Sequence, residues 1–411
     1  MNRILVFSFL IFLSFLLDFY VFNALRGLFD TDKESARKYF TIVYWSITVL
    51  LMIAVLIFSQ VNPKGPYNIP RLVVISAFSI VAFGKFLASA FLFIDDLRRG
   101  ITYLSGFLPF IEGKSSVSRS DFLTKSTVLA GAVPILTMTY GIISGAHDYR
   151  VRKRSIQFKN LPKEFDGIRI AQISDIHTGS FYNKVAVEGG VDLLLNEKPD
   201  ITLFTGDLVN SKSEEAKDYL DIFKRIKSPL GVYSVKGNHD YGDYMSWPSA
   251  EAKRKDQKQL REMHAYMEYD LLLNEHRRIK VDGAEIGILG CENWGTGRFA
   301  KYGKLKETTE GTEDLEFKIL MSHDPSHWDA QIIPEYSNID LTLSGHTHGM
   351  QFGIEIGDFR WSPVKWRYKQ WADLHQNGNQ YLYVNRGYGF IGYPGRIGIL
   401  PEITIFELKR G

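Results

Sequence analysis

Apolar positions divide the chain into two unlike parts. Four long apolar runs fill the first third, at residues 4–25, 40–61, 72–94 and 126–143. A helix crosses a bilayer with roughly 20 mostly apolar residues, so the runs read as four membrane spans. The first stays rich in Phe and Leu to its end and lacks a small-residue cleavage site, which separates it from a cleaved signal peptide. Asp18 and Lys85 lie inside these runs, and opposite charges at such depth are expected to bond across the bundle or to reach the interface. Ala130, Gly131 and Ala132 are small enough to let helices approach closely.

From about residue 156 the period changes. Short β-branched runs at 168–173, 201–204, 232–235, 286–289, 317–321, 341–343 and 381–384 read as buried strands. Helical patterns at 185–195, 214–226 and 260–273 alternate with them. That alternation builds an α/β domain with mostly parallel central strands. The expected division is a transmembrane region over residues 1–145 and an α/β domain over residues 150–411.

Nearly every strand runs into a loop that carries Asp, Asn or His. The loops are Asp175-Ile-His177, Gly206-Asp207, Gly237-Asn238-His239-Asp240, Ser322-His323-Asp324 and Gly345-His346-Thr347-His348. In open α/β sheets, sites form beyond the carboxyl ends of the strands, so these loops should converge. Asp175, His177, Asp207, Asn238, His323, His346 and His348 offer oxygen and imidazole nitrogen but no thiolate, a donor set suited to Mn, Fe or Zn. Seven donors are too many for one ion and about right for two, and a two-metal centre clamps a phosphoryl group. The glycines before Asp207, Asn238 and His346 are expected to permit tight turns directly after a strand. Singly, each residue has an ordinary role as turn former, helix cap or buried histidine. Only the ordered set carries the chemistry.

That ordered set, over roughly residues 156–408, resembles the calcineurin-like metallophosphoesterase superfamily. The resemblance implies a four-layer α/β/β/α sandwich. It implies that Asp175, His177 and His348 hold one divalent or trivalent ion, that Asn238, His323 and His346 hold a second, and that Asp207 bridges them. His239 would bind the phosphoryl oxygen or protonate the leaving group, with Asp240 orienting its imidazole. The implied reaction is in-line attack by a hydroxide bridging both ions. The Gly345–Gln351 stretch, Asn385-Arg386-Gly387-Tyr388-Gly389 and Pro394-Gly395-Arg396 resemble a membrane-associated bacterial branch, which includes exported cell-envelope phosphoesterases and some UDP-2,3-diacylglucosamine hydrolases. Met350 departs from it, where many relatives have a second glycine. Arg386 and Arg396 are either phosphate contacts or surface residues on a glycine-rich loop. His327 matches no family position and reads as structural.

Composition changes this picture little. A net charge of +3 over 411 residues gives no reason to expect a nucleic-acid partner, and the single Cys291 excludes an intrachain disulfide. The expected partners are a phosphorylated, lipid-linked or envelope substrate and the bilayer itself. The alternative is a non-catalytic membrane scaffold or sensor, which should have lost ligands; none of the seven is missing. The first and third loops hold Arg26, Lys33, Arg37 and Lys38, then Arg98, Arg99, Lys114, Arg119 and Lys125, against Lys64 and Arg71 in the second. The positive-inside rule therefore favours an extracytoplasmic catalytic domain in a bacterial cell membrane. The segment from Arg119 to Leu123, similar to a twin-arginine signal lacking one arginine, points the same way, and Arg150, Arg152, Lys153 and Arg154 point against it. Trp361, Trp366, Tyr368 and Trp371 are expected to cover the domain core, with the membrane interface as their other option.

Overall fold

The computed structural model describes residues 3–27, 34–60, 69–105, 121–297, 299–357 and 359–411. The chain forms two compact units, Met1–Tyr140 and Gly141–Gly411.

All four apolar runs are helices: α1 (Arg3–Arg26), α2 (Glu34–Gln60), α3 (Ile69–Ser105) and α4 (Asp121–Ile143). Among the described residues, the stretches Glu34–Phe58, Leu72–Leu104 and Lys125–His147 are long and apolar enough to cross a membrane. In α1 the one charge between the terminal arginines is Asp18. α3 continues past its apolar run because Arg98 pairs with Asp95 and Arg99 with Asp96 one turn apart, which suits a helix. Asp18 is buried and meets Lys85 in an ion pair across the bundle. Thr48 Oγ1 and the Tyr44 hydroxyl donate to the same carboxylate at 3.1 and 3.2 Å, so this charge is satisfied inside the unit. A Cβ on Gly84 would stand 2.7 Å from the Gly131 carbonyl oxygen, which is the close approach the small residues of α4 allow. Lys33, Lys64, Lys114 and Arg119, with the start of the twin-arginine-like segment, lie outside the described residues.

The second unit has fourteen named strands: β1 (Arg150–Phe158), β2 (Arg169–Ile173), β3 (Ile201–Phe204), β4 (Val232–Ser234), β5 (Asp270–Leu271), β6 (Glu275–Val281), β7 (Ala284–Cys291), β8 (Lys318–Ser322), β9 (Leu341–Ser344), β10 (Ile354–Ile356), β11 (Phe359–Trp361), β12 (Asp373–Asn377), β13 (Gln380–Val384) and β14 (Glu402–Arg410). One sheet runs β1-β14-β2-β3-β4-β5 and the other β12-β13-β9-β8-β7-β6, with β10-β11 a separate hairpin. β2, β3, β4 and β5 are mutually parallel, as are β7, β8, β9 and β13. Ile170, Leu203 and Phe406 of the first sheet pack against Ile288, Ile319 and Leu343 of the second in one buried cluster. A second cluster joins the first sheet to the helix α5 (Lys184–Asn196) and to the helix Ala250–Met267, and a third joins the other sheet to Trp328 and Ile332. The layers are therefore helix, sheet, sheet, helix.

Two helical expectations change. The pattern at 214–226 breaks into a 3₁₀ turn, Ser213–Ala216, and a four-residue helix, Leu220–Phe223. The pattern at 260–273 is the end of a helix that starts at Ala250, capped by Ser249 Oγ accepting from the Ala252 amide at 3.1 Å. Its first two turns, residues 250–256, carry five charges in seven residues and hide the period. The basic run at Arg150–Arg154 is strand β1, where Arg152 meets Glu355 and Arg154 meets Asp373. Those cations answer buried acids, which is why they alternate poorly.

Candidate metal centre

The polar loops leave the carboxyl ends of β2, β3 and β4 in one sheet and of β8 and β9 in the other. The sheets meet at this edge: Gln172 Nε2 on β2 donates to the Ser344 carbonyl on β9 at 2.9 Å. Within the loops the backbone is held in an uncommon conformation. Asp175, His177, Asp207, His346 and His348 have φ of 51°, 50°, 61°, 72° and 51°. A left-handed residue other than glycine is disfavoured, and a cluster of them marks a place where packing fixes side chains in a required direction. Met350, at φ 56°, also takes a conformation glycine would adopt freely. Two of the three glycines before the ligands act differently from expectation. Gly206 does turn with φ 98°, but a Cβ on Gly237 or Gly345 would stand 2.2 Å from Asp207 Oδ1 or 2.1 Å from Asp175 Oδ2. Those two glycines make room for carboxylates.

The side chains close into two overlapping groups, Asp175 with His177 and His348, and Asp175 with Asp207 and His323. His348 Nε2 lies 3.3 Å from Asp175 Oδ1, while Asp207 Oδ2 stands 3.5 Å from His177 Nε2 and 3.1 Å from His323 Nε2. None of these three buried ring nitrogens has a hydrogen-bond partner. Ligands at about 2.1 Å from a common ion lie about 3.0–3.4 Å from each other, so unpartnered nitrogens at these separations from carboxylate oxygens fit a cation between them. Asn238 and His346 sit beside His323, whose ring is 5.2 Å from that of His346. His346 Nδ1 is bonded to Asn238 Oδ1 at 2.7 Å and its Nε2 to the Tyr368 hydroxyl at 2.8 Å. The structure thus brings all seven candidate donors to one edge.

Electrostatics agree with the donor set. Burial and the nearby Asp207 charge lift the Asp175 carboxyl to about 6. Burial also raises Asp207, but the rings of His323, His239 and His177 hold it well below the usual carboxylate range. Burial pushes His177 down to about 3, His346 to about 4 and His348 far below the imidazole range, which leaves these rings neutral. His323 is the exception: burial lowers it, yet the charges of Asp207 and Asp175 outweigh that and raise it to about 10. A pocket that draws a proton onto a fully buried imidazole is one that attracts cations. The His323 ring is oriented from behind, with Nδ1 at 2.8 Å from the Thr205 carbonyl, so Nε2 faces the cluster.

His239 lies at the rim, its ring 5.0 Å from His177 and 4.7 Å from Tyr244. Its backbone amide donates to Asp207 Oδ1 at 2.8 Å and its Nδ1 to the Asn210 carbonyl at 2.7 Å. Here the expectation for Asp240 needs correcting. Its carboxylate accepts from the backbone amides of Gly237, Asp207, Leu208 and Val209 at 2.8–3.2 Å, so it ties two ligand loops together and does not orient the imidazole. Neither of the two arginines is a phosphate contact or a surface residue. Arg386 is fully buried against Glu402 and Glu355, and Arg396 is fully buried with its guanidinium on the carbonyls of Arg386, Gly387 and Gly389 and on His348 Nδ1. His327 bonds Ser322 and Gln331 and stacks on Trp294, a packing role. Three contributors had no signal in the sequence: Tyr368 on His346, Tyr244 on Asn238, and the carbonyl of Asn210.

Comparison with known proteins follows the same division. Residues 2–146 match the family described as probable calcineurin-like phosphoesterase, transmembrane domain, and residues 168–350 match calcineurin-like phosphoesterase. The metallophosphoesterase YkuE of Bacillus subtilis is 28% identical over 64% of this chain and 86% of its own. A transmembrane protein with metallophosphoesterase domain from Danio rerio is 28% identical over 70% of this chain, which spans 63% of that relative's length. A Helicobacter pylori metallophosphoesterase is 24% identical over 96% of this chain and 95% of its own, so the likeness extends through both units. On these matches the chain carries a calcineurin-like metallophosphoesterase domain, which makes it a hydrolase of phosphoric esters, together with a transmembrane domain, which makes it a membrane protein.

Proposed function

We propose that the Gly141–Gly411 unit hydrolyses a phosphoester or pyrophosphate bond with two metal ions, on a substrate that is lipid-linked or belongs to the cell envelope. Asp175, His177 and His348 would hold one ion, Asn238, His323 and His346 the other, and Asp207 both. The observation that carries this is the placement of Asp207 Oδ2, within 3.5 Å of a ring nitrogen from each set. When bound, such ions supply Lewis acidity and a nucleophile at neutral pH. The protein supplies the rest. His239, with Nδ1 engaged by the Asn210 carbonyl, turns Nε2 to hold a phosphoryl oxygen or pass a proton to the leaving group. To serve as ligands, Asn238 and His346 would have to give up the hydrogen bond between them. We further place the catalytic unit on the extracytoplasmic side, because basic residues concentrate in the loops before α2 and α4 and are few in the loop before α3.

The full-length protein with Mn is expected to hydrolyse an aryl phosphate ester, and a chelator should stop it. Asp207→Ala should lose metal content and orders of magnitude in rate. Equal rates and equal metal content for the two proteins would overturn the reading.

A further inference from the structure

The hairpin that follows the His346–His348 loop is inverted relative to an ordinary surface hairpin. β10 and β11 pair Ile354 with Trp361, Glu355 with Arg360 and Ile356 with Phe359. Opposed residues share a face and successive ones alternate, so the charged pair lies on one face and the four apolar residues on the other. The charged face is turned to the protein: Glu355 meets Arg152 and Arg386, and Arg360 meets Asp373. The apolar face is left outside, with Ile356 72% and Phe359 61% exposed. The patch extends at both ends. Met350 and Phe352 are exposed before it, and Trp366, 75% exposed, stands edge-on to Trp361 at 6.0 Å. Scattered apolar residues are normal on a surface, whereas a continuous set on one short segment marks a contact. The expectation that the aromatic residues cover the core holds for Trp371, which is buried with Val364 and Ile399, and fails for Trp366.

We propose that this face docks on the lipid bilayer that anchors the same chain. Lys365, Arg367 and Lys369 flank Trp366 in the chain, and Trp flanked by Lys and Arg is the composition of the zone where acyl chains meet anionic headgroups. A bilayer is also always at hand, since only residues 144–149 lie between the end of α4 and β1. The inference rests on the phosphoesterase reading and adds the source of the substrate. The patch starts two residues after His348, and two residues past Trp366 the Tyr368 hydroxyl bonds His346 Nε2. Docking sets the metal centre beside the headgroup layer. The substrate is then a phosphoester or pyrophosphate borne by a lipid, taken without leaving the membrane.

The test uses full-length protein reconstituted in vesicles of phosphatidylcholine and phosphatidylglycerol. Ile356→Cys and, separately, Val185→Cys carry a spin label; native Cys291 is fully buried and leaves the introduced thiol as the target, and Val185 on α5 is 78% exposed. The Ile356 label should be reached by oxygen and shielded from a water-soluble nickel chelate, with the reverse at Val185. Equal nickel access at both positions overturns the proposal. So does magnetic broadening between Ile356 labels of neighbouring molecules, which would assign the face to a second copy. Ile356→Glu with Phe359→Glu should slow hydrolysis of a phosphomonoester on a lipid in those vesicles by about tenfold or more, and of a water-soluble aryl phosphate by less than about twofold. Equal slowing on both refutes docking as the source of substrate. A shielded label at position 356, beside wild-type protein that hydrolyses neither ester, would sink the phosphoesterase reading and leave the docking in place.

Discussion

His239 and Asp240 are neighbours with opposite duties, and one substitution at each separates them. The His239 ring is tethered at Nδ1 and open at the rim, so its removal should spare the metal content. His239→Gln is expected to cost about 10²–10⁴ in rate, more for a poor leaving group than for a good one. Loss that is uniform across leaving groups would remove the proton-transfer role. Asp240 is closed in, with four backbone amides on its two oxygens. Asp240→Ala strands those donors and should destabilise the unit by about 3 kcal/mol or more, seen in thermal unfolding together with lower metal content. At this scale the sequence is informative where chemistry demands a residue type. Asp, Asn and His in strand-end loops announce themselves. The Asn210 contribution is a carbonyl, which every residue possesses, and Tyr368 reaches His346 from a segment with no strand pattern of its own.

Elements are legible in proportion to how fully they are buried. The seven short β-branched runs are strands because both of their faces are covered, as at β3 and β9, where every residue is buried. Partly exposed elements give a weaker pattern: β1 and β6 mix charges into both faces, and the helix Ala250–Met267 opens on charge. The β10–β11 hairpin misleads most, since its charged residues point inward. They do so because Arg386, Glu402, Glu355, Asp373, Arg152 and Arg154 form one ionic network under the hairpin. Breaking such a network leaves an uncompensated buried charge. Arg386→Met is therefore expected to lower stability by about 3–5 kcal/mol, while KM for a soluble ester stays unchanged in the folded fraction. A raised KM with unchanged unfolding would restore the phosphate-contact role.

For the whole molecule, the apolar pattern by itself separates a helical region from an α/β domain, but it does not reveal the side of the membrane. Charge counts near spans inform orientation only when the charges are free to choose a side. Arg152 and Arg154 are free when the last span is oriented, because their partners Glu355 and Asp373 follow 203 and 219 residues later, so they weigh against the basic loops before α2 and α4. A reporter fused after Gly411 that is active only outside the cytoplasm is expected to be active, and its silence beside an active cytoplasmic reporter would reverse the assignment.

The order of β1-β14-β2 has a consequence for how the chain is made. β14 lies between two strands from the opposite extreme of its unit, parallel to β1 along Arg150–Phe158 and antiparallel to β2. Until β14 is synthesised, β1 has no sheet to join and β2 keeps an unpaired edge. Membrane insertion of the helices thus precedes, and runs independently of, closure of the first sheet. A nascent chain arrested short of β14 would be anchored yet unfinished, offering an open strand edge to proteases and to its neighbours.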